Sequence, residues 1–253
     1  MRFARRFARV AAVAGIAALT AGIGGCSRHR FHHEPGVIQV DIETSPTSID
    51  PRFATDAISS RLNELIFDSL VKIDSDGRFV GDLAESVERT APTRLIFHLR
   101  HGVRFSDGRE LTARDVKYTY DSIMAPANLS LKRAGMQQLA NITAPDDYTV
   151  VMTTREVYAP ALEIAMQGVV PEGTRAPSRG SSSGPSGSGP FRLARFSRDE
   201  SAYLERNPFR PHPEASPRAI LFKIVPDPTV RALELAEGEC DLSENNIQPD
   251  LLP

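Results

Sequence analysis

The sequence predicts an α/β fold, because short stretches of alternating hydrophobicity are interleaved with stretches of helical periodicity. Three stretches carry this prediction. Ile38, Val40 and Ile42 alternate with Gln39 and Asp41, as in a half-buried strand. Ile58, Leu62, Leu65 and Ile66 fall on one face at helical spacing, with Ser59, Arg61 and Glu64 off it. Val116, Tyr120 and Ile123 follow Thr112 and Asp115, a pair that reads as a capping box.

The chain opens with Arg2, Arg5, Arg6 and Arg9 ahead of an uncharged, small and apolar stretch, residues 10–25. That layout is a secretory signal peptide and is short for a membrane span, which needs about 20 apolar residues. Ile23-Gly24-Gly25-Cys26 resembles the lipobox of bacterial lipoproteins. The resemblance implies cleavage before Cys26 and lipidation of that residue, which anchors the protein to a membrane. The alternative is an ordinary cleaved signal in which Cys26 has no role. Residues 26–36 are polar and aperiodic, so they read as a tether.

Folded sequence is expected from residue 37. The run 74–77 (Asp-Ser-Asp-Gly) marks a tight turn, and Leu95, Phe97 and Leu99 predict a second strand. Asp107-Gly108 turns the chain into the helix capped at Thr112. Tyr148, Val150 and Met152 suggest another strand, and Pro160 suits the first turn of a short helix. Residues 177–190 are mostly Gly, Ser and Pro, the composition of a linker or long loop. Beyond it, Ile220, Phe222 and Ile224 predict a strand, and Thr229 to Ala236 a helix stopped by Gly238.

The 253 residues carry a formal net charge of −2, with 41% hydrophobic and 25% charged residues. This balance permits a buried core and argues against a nucleic-acid partner. With Cys26 lipidated, Cys240 has no disulfide partner; it reads as a small buried residue or, alternatively, a reactive thiol. No catalytic constellation emerges: His98, His101, Ser106 and Asp107 are close in sequence but lack a converging nucleophile motif. A calcium loop aligned on Gly77 would need carboxylates where Lys72 and Leu83 stand. His29, His32 and His33 lie in the tether, so no metal site is assigned. Gly184, Gly187 and Gly189 are not followed by Lys-Ser/Thr, which excludes a P-loop, and no cofactor is implied. Gly187 and Gly189 are expected to supply positive-φ turns.

Several blocks resemble family 5 extracellular solute-binding proteins, the peptide- and nickel-binding components of ABC importers. They are Ile49-Asp50-Pro51, Ile66-Phe67-Asp68-Ser69-Leu70-Val71 and Asp82-Leu83-Ala84-Glu85-Ser86. The strongest runs from Phe97 to Gly108 and on through Leu111-Thr112-Ala113-Arg114-Asp115-Val116. Gly187-Ser188-Gly189-Pro190-Phe191, Glu205-Arg206-Asn207-Pro208 and Ile224-Val225-Pro226-Asp227 continue in family order. The chain departs from the pattern in having no Trp and in carrying Phe209-Arg210 where the family has an aromatic pair.

The resemblance implies a type II periplasmic-binding-protein fold, here its first lobe: a mixed sheet flanked by helices over residues 37–253, with subdomain boundaries near 70 and 187. Family members run about twice this length, so the second lobe is expected to be absent from this sequence. The implied function is capture of a peptide or similar small solute on the periplasmic side of the cell envelope and delivery to ABC permease subunits, without enzymatic chemistry. A non-catalytic lipoprotein scaffold, or a fragment that has lost ligand capture, is the alternative. Thr44, Ser45, Pro46, Thr47, Ser188 and Gly189 are the expected ligand-binding residues, through backbone pairing with an extended peptide; the alternative is that they only shape turns.

Overall fold

A computed structural model describes residues 34–177 and 184–244. In chain order its principal elements are β1 (Val37–Ile42), α1 (Ala57–Ile66), β2 (Val71–Ile73), β3 (Phe79–Gly81), β4 (Ala84–Ala91), β5 (Arg94–Leu99) and α2 (Ala113–Met124). These are followed by β6 (Leu139–Thr143), β7 (Thr149–Thr154), α3 (Ala161–Ile164), β8 (Phe191–Ser197), β9 (Ser201–Arg206), β10 (Ala219–Ile224), α4 (Pro228–Glu237) and β11 (Leu242–Ser243). Two short 3-10 segments join α2 to β6.

The first sheet is mixed, in the order β11-β1-β10-β9-β8. β1 pairs in parallel with β10, Val37 opposite Ala219 through Ile42 opposite Ile224, and β11 adds in parallel on its other side. β9 and β8 follow antiparallel. Val40, Ile42, Leu204, Ile220 and Phe222 close one core with Ile58, Leu62 and Ile66 of α1. Ile58, Leu62 and Ile66 of the expected face are buried, but so are Ser59, placed off that face, and Asn63, while Leu65 is only partly buried.

A second core belongs to residues 70–169. There an antiparallel sheet in the order β4-β5-β7-β6 is covered by α2, whose Val116, Tyr120 and Ile123 are fully buried with Phe97, Val150 and Met152. The Tyr120 hydroxyl donates to the Ile164 carbonyl at 2.7 Å, so burial of the phenol leaves no unmet donor. β2 and β3 form a separate hairpin whose turn needs Gly77 at φ 78°.

Helix ends follow their chemistry. Asp56 accepts from Ser59 N at 2.8 Å ahead of α1. Asp115 accepts from Thr112 N at 2.8 Å, the return half of the expected capping box. Asp227 caps α4, Pro228 takes its first position, and Gly238 ends it at φ 75°. Buried Arg52 joins the two parts. Its guanidinium grips Asp50 at 2.7 and 3.0 Å, Ser122 Oγ of α2 at 3.2 Å, and the carbonyls of Thr174 and Arg175 at 3.0 and 3.1 Å.

Candidate functional site

In sheets with parallel strands, ligands bind outside the carboxyl ends of those strands. Here that edge is formed by the loop after β1, the start of the loop after β10, and the β8–β9 turn. The turn is brought alongside by pairing of Ser201 with Lys223 at the end of β10.

The loop after β1 is fastened at two points. Ser45 Oγ donates to Asp199 Oδ1 at 2.9 Å and accepts from Asp199 N at 2.7 Å, and Asp199 adopts a left-handed φ of 62° to make this latch. Thr47 bonds Asp56 through both its amide (3.3 Å) and its hydroxyl, so it supports the α1 cap. Burial pushes the Asp56 carboxyl up, but hydrogen bonds from Ser59 and Thr47 outweigh burial and hold it below the usual carboxylate range. Pro46 is buried and Thr44 is exposed. Among the described residues, the backbone amides of Thr44 and Ser45 donate to nothing. What this loop offers a ligand is therefore backbone, because the Ser45 and Thr47 side chains are occupied.

Ser188 and Gly189 are placed elsewhere. Gly189 N donates to Ile66 O at 2.9 Å at the C-terminal end of α1, and its carbonyl accepts from Asn207 Nδ2 at 3.0 Å. The loop after β1 joins the N-terminal end of the same helix, which ten residues make about 15 Å long. The two predicted groups thus sit at opposite ends of α1 and do not meet. Gly187 and Gly189 also differ from the expected positive-φ role: neither has positive φ. A Cβ on Gly187 would lie 1.8 Å from Ile66 O, and one on Gly189 2.6 Å from Ile66 C and Leu65 O. Close approach to the helix end is what demands glycine.

At that end of α1 lies a charged cluster that the sequence did not reveal. Asp68 is buried and pairs with Arg210, whose guanidinium also donates to Ser188 O at 2.9 Å. Burial and nearby Asp82 push the Asp68 carboxyl up, against the pull of Arg210. Asp82 accepts from Lys72 Nζ at 2.9 Å and from Ser69 N at 3.1 Å. The Ser188 hydroxyl is buried beside Asp68, close enough to favour its charge but without good hydrogen-bond geometry. Two cavities, of about 370 and 560 Å³, share Asp68, Lys72, Asp82 and Arg210 in their walls. The signal for this cluster was Arg210 standing in an aromatic position.

Cys240 is buried and free. Burial and the adjacent Asp41 push its thiol up to about 12, so it stays protonated and unreactive at neutral pH. His101 stacks on Tyr148 with ring centroids 3.8 Å apart, and no group of three or more metal-ligating side chains converges among the described residues. Cys26 and the tether histidines lie outside the described residues.

Known proteins with the same architecture agree. The family model for bacterial extracellular solute-binding proteins, family 5, matches residues 78–253. Protein XP55 of Streptomyces lividans is 29% identical over 240 residues, 92% of this chain and 43% of that protein. Oligopeptide-binding protein AppA of Bacillus subtilis is 25% identical over 207 residues, 77% of this chain and 38% of its own length. The chain therefore spans less than half the length of the curated relatives it matches. Among solved structures, NikZ from Campylobacter jejuni in complex with Ni(L-His) superposes with a TM-score of 0.74 at 21% identity, over 83% of this chain and 43% of that one. Haemophilus influenzae OppA in complex with the peptide RPPGFSPFR gives 0.74 at 21%, over 86% and 47%. The fold is that of type II periplasmic binding proteins. With the family model covering most of its length, the chain belongs to the bacterial extracellular solute-binding proteins of family 5.

Proposed function

We propose that this chain is the first lobe of the solute-binding component of an ABC importer, capturing peptides or similar small solutes and handing them to permease subunits. The observation that carries this reading is the free backbone of Thr44 and Ser45 at the carboxyl ends of the parallel strands. Backbone groups there would add hydrogen bonds to an extended peptide in strand fashion, giving affinity with little dependence on side chains. Thr47, Pro46, Ser188 and Gly189 shape and support that lobe. Capture and release make or break no covalent bond.

Residues 1–25 serve as leader and 26–36 as tether, with Cys26 lipidated on the periplasmic side of the envelope. This rests on the arginine-led apolar stretch and the lipobox-like Ile23-Gly24-Gly25-Cys26. Residues 37–253 make the lobe, divided near 70 and 187, and the division is supported by two separate cores.

Titration calorimetry with short peptides tests the capture reading. Peptides of different side chains should bind within about tenfold of one another, whereas N-methylation of their backbone amides should weaken binding by about tenfold or more, the worth of a lost hydrogen bond left unpaired. Binding that ignores N-methylation and follows side chains, or no binding at all, contradicts it.

A further inference from the structure

Between the β2–β3 hairpin, the turn leading out of β5 and residues 209–211 lies the cavity of about 370 Å³, and its charges do not balance. Lys72, Arg100, Arg104 and Arg210 line it against two carboxylates, Asp68 and Asp82. Both carboxylates are taken: Asp68 pairs with Arg210, and Asp82 with Lys72 at 2.9 Å. Arg100 and Arg104 are the cations left over.

Neither is bound by an acid. Arg100 gives its Nε to the Asp82 carbonyl at 2.9 Å, and Arg104 gives Nη1 to the Gly108 carbonyl at 2.9 Å. Among the described residues no carboxylate lies within ion-pair reach of either. Glu110, which feels the charge of Arg104 from further off, is engaged by the Tyr148 hydroxyl at 2.7 Å and by the Gly102 amide at 3.3 Å. Both arginines are exposed. Arg100 keeps Nη1 and Nη2, and Arg104 keeps Nε and Nη2, each pair being a fork that matches two oxygens of one anion. The wall also has an apolar side. Phe209 is 47% exposed, and its ring tip rests on Gly108, where a Cβ would lie 2.9 Å from it. Gly108 thereby sets the ring beside the carbonyl that holds Arg104.

We propose that this cavity, separate from the loop after β1, binds a phosphate group, free or as the monoester of a small apolar body that lies against Phe209. A monocarboxylate has two oxygens and one charge, enough for one fork. A phosphate has three acceptor oxygens and close to two charges at neutral pH, enough to be shared by both. The volume lies within the range of small-molecule pockets.

Titration calorimetry of the full chain with phenyl phosphate, inorganic phosphate and benzoate tests the assignment. Phenyl phosphate should bind saturably, more weakly as salt is raised, and about tenfold or more tighter than benzoate. Tighter binding of phenyl phosphate than of inorganic phosphate identifies a monoester as the ligand; equal affinity identifies free phosphate. Arg100→Gln and Arg104→Gln, both at exposed positions, should each weaken binding about tenfold or more, the worth of a charged hydrogen-bonding pair. Arg89→Gln is the control, since Arg89 is exposed and donates only to the Pro92 carbonyl, away from this cavity; it should leave the affinity unchanged. No saturable binding, benzoate as tight as phenyl phosphate, wild-type affinity in Arg100→Gln and Arg104→Gln, or an equal loss in Arg89→Gln overturns the proposal. Peptide protection at Thr44 and Ser45 should persist in Arg104→Gln, which separates failure at this site from failure at the strand-end loop.

Discussion

Asp56 shows how one side chain serves both fold and site. It caps α1 through Ser59 and fastens the loop after β1 through Thr47. Asp56→Ala should cost about 1–2 kcal/mol, the range of an N-cap loss, and urea denaturation will read it. The pH dependence has a definite sign. The folded carboxyl sits below its ordinary value, so its contribution is present above the usual carboxylate range and is lost as the pH falls through the lowered value. The stability gap between wild type and Asp56→Ala should therefore narrow in acid. Capping residues of this kind are legible in a sequence: Thr112 and Asp115 were, because the pair sits at fixed spacing before a helical stripe. Asp56 escaped notice because the residue three positions on is Ser59 and not the Glu, Gln or Asp of a capping box, and because its other partner, Thr47, lies nine positions upstream across a loop.

At the scale of elements, the approach of the loop at 187–189 to the end of α1 fixes the junction of the two cores. Gly187→Ala should destabilise by about 3 kcal/mol or more, since its Cβ would overlap the Ile66 carbonyl, a backbone atom that cannot rotate away. Gly77→Ala provides the contrast: its turn is open and only the left-handed φ is strained, for about 1–2 kcal/mol. Thermal denaturation of the two variants distinguishes crowding from conformational strain. A strand with one buried face, such as β5, was readable from alternation; β1 was found by the same pattern although Ile38 is exposed and Asp41 is buried. β4 was not, because from Glu85 to Thr90 its residues are exposed and so carry no hydrophobic period. β9 was missed too: Ala202, Tyr203 and Leu204 are all buried, so the run does not alternate.

Across the described residues, the organising feature is two cores joined by polar clamps: buried Arg52, which holds Asp50 and Ser122, and half-buried Arg210, which pairs with buried Asp68. Asp68 behaves opposite to Asp56. Its folded carboxyl is raised by burial and by Asp82, so the stability it contributes relative to Asp68→Asn is greatest below the usual carboxylate range. That advantage should be lost as the pH rises through the raised value, and guanidinium titrations from about pH 4 to about pH 7 check it, starting near the ordinary aspartate pKa. The family blocks in the sequence pointed to the fold, since they encode turns and caps. They pointed less well to the site, because contacts such as Arg210 to Asp68 and Ser45 to Asp199 join residues 142 and 154 positions apart. No local pattern records such distances.

In the proposed function, solute is held by the backbone at the carboxyl end of β1. Amide hydrogen exchange with and without saturating peptide tests it most directly, residue by residue. Rapid exchange is expected at Thr44 and Ser45 in the free chain, where neither amide has an acceptor among the described residues, with strong protection of both once peptide is added. Peptide binding that leaves these two amides as fast as before would contradict it.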